Sequence, residues 1–77
     1  MAHLKHESHN RTWLWFVATV VIETEKAVKL LIDDNEHWIP IKLLKAHDDD
    51  LYRGNTMRIA LPVWLVVEKN IAVVEYG

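Results

Sequence analysis

Residues 24–44 read TEKAVKLLIDDNEHWIPIKLL, and the periodicity of this stretch decides the fold. From Lys26 to Asp33 the apolar side chains Val28, Leu30 and Ile32 take alternate positions, with Lys29 and Asp33 on the other side. A period of two is the signature of a half-buried strand, and the β-branched residues strengthen it. Asp33-Asp34-Asn35-Glu36 then supplies turn chemistry, with Asn35 suited to the left-handed conformation that most side chains avoid. His37-Trp38-Ile39 runs back as the partner strand. Pro40 ends it, because proline lacks a ladder donor and forces Ile39 into extended backbone. The expected unit is a β-hairpin.

On the N-terminal side, Thr12 to Glu23 reads as a first strand. One face carries Leu14, Phe16, Ala18, Val20 and Ile22, and the other Trp13, Trp15, Val17, Thr19 and Val21. Both faces are largely apolar, whereas a small single sheet buries only one of them. The second face therefore needs a cover. Closure of a bent strand into a barrel, the C-terminal helical segment, and another molecule are the three candidates.

On the C-terminal side, Ile41 to His47 is expected to form a short helix or turn that packs Leu43 or Leu44 inward. Asp48-Asp49-Asp50 follows. The triplet lacks the alternating acidic positions and terminal glutamate of a calcium loop, so it reads as a solvated loop or a recognition surface for a basic partner. Gly54-Asn55 marks a loop, and Thr56 to Leu61 alternates as another strand, with Met57, Ile59 and Leu61 inward and Arg58 outward. Pro62 suits the first helical position. Val63 to Lys69 then forms a short helix ended by Asn70, or a strand if the preference of its valines prevails. Ile71 to Tyr76 alternates as a last strand.

The sequence resembles a group of small phage and mobile-element proteins, most of them uncharacterised. T-E-K-A within Glu23 to Ala27, W-I-P at Trp38 to Pro40, and L-P-x-W-L at Leu61 to Leu65 carry the resemblance. The chain departs from the pattern at Ile41, where a lysine followed by a serine is usual, and in the valines of the last helical segment. The resemblance implies that Val63 to Lys69 is helical and that the fold is a small β-barrel. The expected class is thus mainly β (small α+β), a five-stranded SH3-like or OB-like barrel with one or two short helices. The group implies no common activity.

A chain of 77 residues, 51% of them hydrophobic, makes one domain. Residues 1–10 read as a flexible N-terminal arm and 11–77 as the domain. His3, His6 and His9 would share a helical face, but no acidic or cysteine ligand completes a metal site. With no cysteine there is neither disulfide nor thiol chemistry, which fits a reducing cytoplasm. The apolar run from Trp13 to Ile22 is too short to cross a bilayer, and the leading residues do not form a signal peptide. A net charge of −2 argues against general affinity for nucleic-acid backbones.

Catalytic signatures are missing from the sequence. The single serine, Ser8, lies in the arm, and no glycine-rich loop exists to cradle phosphates. Glu36 and His37 are adjacent on a strand and point to opposite faces, so they form no acid–base pair. The expectation is a protein without enzymatic activity or cofactor. Binding remains, and four tryptophans motivate it, since tryptophan is enriched at interaction hot spots. Trp38 is expected in the core or against Pro40, whereas Trp13 and Trp15 lie on the second apolar face. The candidate partner-binding residues are Trp13, Trp15, Glu36, Asp48, Asp49 and Asp50. One reading is a protein-binding module of phage type, an inhibitor of a host defence complex in the manner of an anti-CRISPR, whose partner is a host protein or ribonucleoprotein. The alternative is a single-stranded nucleic-acid binder using Lys42, Lys45, Arg53 and Arg58 beside aromatic faces. A structural homodimer is the third. Acids beside the exposed tryptophans favour the first reading, and bases there favour the second.

Overall fold

The computed structural model describes residues 13–72. Five strands form one antiparallel sheet: β1 (Trp13–Glu23), β2 (Ala27–Ile32), β3 (Asn35–Pro40), β4 (Ala46–His47) and β5 (Thr56–Pro62), in the order β3-β2-β1-β5-β4. A 3-10 turn (Ile41–Leu43) links β3 to the approach of β4, and α1 (Val63–Glu68) follows β5 directly. Over these residues the sheet is open, with β3 and β4 at its edges. The fold is mainly β, as expected. Among the described residues the sheet does not close into the SH3-like or OB-like barrel expected from the sequence.

The β2–β3 hairpin pairs Ile32 with Asn35 and continues to Ala27 opposite Pro40. Its turn is Asp33-Asp34, with φ of 51° and 68°, so the left-handed residues are the two aspartates and not Asn35. This is the two-residue turn whose twist matches that of the strands. Asn35 instead begins β3 and donates from Nδ2 to the Asp33 carbonyl at 3.2 Å. Pro40 is the last residue of β3, and the chain continues into the 3-10 turn where a helix or turn was expected.

One face of the sheet is the core. Ala18, Val20, Val28, Leu30, Ile32, Ile39, Met57, Ile59 and Leu61 are buried on it, with Leu14 and Phe16 packed at its margin. Leu65, Val66 and Ile71 cover this face. A six-residue helix is too short to persist alone, so burial of Val63, Leu65 and Val66 sustains it. Pro62 is its N-cap rather than its first residue. Asn70, at φ 55°, closes it, with the Ile71 N–H donating to the Val66 carbonyl at 2.9 Å.

Two departures follow from packing. The β1–β2 register passes from Val20 opposite Leu30 to Ile22 opposite Lys29, leaving Val21 as a bulge. Ile22 thereby moves to the face opposite the one its spacing from Val20 assigned. Second, Ala46 and His47 form a strand against Ala60 and Ile59 inside a segment expected to be a short helix or turn. The predicted strand Ile71–Tyr76 lies mostly outside the described residues. Ile71 and Ala72 sit in a bend, with Ile71 buried. No described helix is long and apolar enough to cross a membrane.

Candidate interaction face

Among the described residues, the second face of the sheet carries no helix. Register places Trp13, Trp15, Val17 and Thr19 of β1 on it, beside Pro62, Ala60, Arg58 and Thr56 of β5. On the other flank lie Ile22, Leu31 and Lys29, then Trp38 and Glu36 of β3. Trp13, Trp15, Val17 and Trp38 remain 43%, 47%, 64% and 44% exposed. Four large apolar side chains are thus exposed along this one face.

Each exposed tryptophan of this face has a cation over its ring. Lys45 Nζ stands 5.8 Å from the Trp13 ring centre, Arg58 Cζ 5.2 Å from Trp15, and Lys29 Nζ 5.6 Å from Trp38. The ring faces attract these charges, which also shelter apolar carbon with their stems. Two of the three cations meet carboxylates as well. Lys29 lies 3.3 Å from Glu36, and Arg58 Nε donates to Asp48 Oδ2 at 2.9 Å. Thr19 and Thr56 share a hydroxyl hydrogen bond of 2.8 Å on the same face. The border therefore carries both signs of charge.

The acidic triplet is a tied turn rather than a free loop. The Asp48 N–H donates to the Arg58 carbonyl at 3.1 Å, and His47 Nδ1–H donates to the Asp49 carbonyl at 2.8 Å. Asp50 N–H donates to Asp49 Oδ1, and Asn55 Nδ2 donates to the Asp50 carbonyl, each at 2.8 Å. Asp48 thus joins the tryptophan face through Arg58, whereas Asp49 and Asp50 are exposed in the adjoining loop.

Of the residues proposed from sequence, Trp13, Trp15, Glu36 and Asp48 are brought onto or beside one surface. Trp38, expected in the core or against Pro40, is half-exposed on this face and so is not a core residue. His37 and Ile39 take the inward positions because they pair with Leu30 and Val28. The parity of Val28, Leu30 and Ile32, carried through a two-residue turn, contains that answer. Lys29 was the other omission. The same pairing places Lys29, on the polar side of β2, opposite Trp38. Trp64 and Val67 lie exposed on α1. The spacing of His3, His6 and His9 falls outside the described residues.

An open depression of about 530 Å³ is lined by Glu25, Lys26, Pro40, Ile41 and Lys42. Its three charged residues are exposed, so none is held in a fixed geometry. Comparison with family models, with curated proteins and with solved structures finds no match for this chain.

Proposed function

We propose that the protein is a non-enzymatic binding module that docks a protein partner on the open face of its sheet. The observation that supports this reading is the make-up of that face. An apolar centre of Trp13, Trp15, Val17 and Leu31, flanked by Trp38, is bordered by Lys29–Glu36 and Arg58–Asp48. Aromatic and arginine anchors inside a polar rim are the anatomy of protein interfaces. The partner is a host protein or ribonucleoprotein complex, and binding inhibits it. That part of the proposal rests on the resemblance to phage and mobile-element proteins alone.

The three cation–tryptophan pairs favour a second reading, single-stranded nucleic acid stacked on the tryptophans. Glu36 and Asp48 oppose it, because they neutralise two of the three cations at the positions where phosphates would lie. Titration of the protein with oligothymidylate, followed by tryptophan fluorescence at low salt, separates the readings. The proposal expects no saturable quenching. Saturable quenching that weakens with salt, and is lost in Trp15→Ala, would replace it with the nucleic-acid reading.

A further inference from the structure

We propose that β3 is the seat of a homodimer, in which the edge strands of two copies pair antiparallel and join their sheets into one. The inference is independent of the docking assigned to the open face. It starts from the direction in which backbone groups point. In a two-residue hairpin the pair flanking the turn, here Ile32 and Asn35, exchanges both ladder hydrogen bonds. Bonded and non-bonded pairs then alternate, so His37 and Ile39 bond to β2 while Glu36, Trp38 and Pro40 do not. The hydrogen bond beyond the strand agrees, since the Ile41 N–H donates to the Lys26 carbonyl at 2.9 Å.

The N–H and C=O groups of Glu36 and Trp38 therefore point away from the sheet, as a template for another strand. Pro40 fits the same logic, because its missing N–H faces outward and costs the sheet nothing. The opposite edge differs. There β4 has two residues, and Lys45 and Asp48 donate to the Ala60 and Arg58 carbonyls of β5 at 2.9 and 3.1 Å.

A second copy fits this edge because the strand is complementary to itself. With the two-fold axis at His37, Glu36 of one copy stands opposite Trp38 of the other, and the two pairs supply four hydrogen bonds. Both side chains lie on the open face. Lys29 already sits beside its own Glu36 and over its own Trp38, so the Lys29 of one copy comes within reach of the Glu36 of the other. The two Trp38 rings become diagonal neighbours, a spacing that aromatic side chains span. So small an interface makes a weak, concentration-dependent dimer.

The test joins sedimentation with amide hydrogen exchange on the full chain. The expected result is a reversible dimer, with protection of the Glu36 and Trp38 amides rising as the dimer fraction rises. Glu36→Pro removes the outward donor together with the Lys29 salt bridge and should weaken dimerisation at least about tenfold, while Glu36→Gln, which loses the salt bridge but keeps the donor, weakens it less. Three results would overturn the proposal. One is a monomer at every concentration up to the solubility limit. Another is a dimer in which both amides exchange fast and Glu36→Pro changes nothing. The third is protection independent of concentration, which would mean that the chain itself covers this edge.

Discussion

Trp15 and Ile59 lie on neighbouring strands and face opposite ways, and the contrast between them sets the energetics of single residues. Ile59 is fully buried between sheet and helix, whereas Trp15 is 47% exposed with Arg58 over its ring. Ile59→Ala leaves a cavity in the core, and urea denaturation should show a loss of roughly 2–5 kcal/mol. That is a large share of the stability of a domain this small. Trp15→Ala should cost no more than about 1 kcal/mol, because it removes a half-exposed ring and one cation contact. A larger loss would mean that the ring supports the core and is not held ready for a partner. At this scale the sequence was informative where alternation was unbroken. Met57, Ile59 and Leu61 went inward and Arg58 outward, as their spacing required. The core half of the expectation for Trp38 fails because the strand's parity outweighs tryptophan's general tendency to bury.

The β2–β3 hairpin is the element that the sequence describes best, and its turn is where it is strained. Asp33 and Asp34 both hold positive φ, a conformation that side chains other than glycine and asparagine adopt at some cost. Asp34→Gly removes that cost and one of two adjacent like charges. The variant should be more stable by up to about 1 kcal/mol, read as a higher midpoint in urea with an unchanged slope. A loss of stability would show that the Asp34 side chain holds the turn. Other elements were less legible for identifiable reasons. Val20, Val21 and Ile22 are all branched and apolar, so the pattern is the same with or without a bulge, and pairing with β2 alone fixes it. Ala46-His47 is too short to display any period and is a strand only because β5 lies beside it. The helix Val63–Glu68 runs against the preference of its valines, and burial against the sheet overrides that preference.

At the scale of the molecule, the described residues form a sheet with one face covered by a helix and the other without one, and that asymmetry is what the proposed function uses. Two apolar faces on β1 were legible as a problem needing a cover. Helix α1 solves it for one face only, and the other presents Trp13, Trp15 and Trp38 among charges of both signs. The candidate site was therefore legible in part: β1 announced its tryptophans, but their neighbours Lys29, Arg58 and Asp48 arrive from distant segments. The measurement that tests the central claim most directly is affinity capture from host lysate treated with nuclease. The tagged wild-type chain and a Trp13→Ala/Trp15→Ala variant, shown to be folded by its urea midpoint, are compared by mass spectrometry. The account predicts a defined protein complex that survives nuclease with the wild type and is lost with the variant. Equal recovery by both chains, or recovery abolished by nuclease, would contradict it.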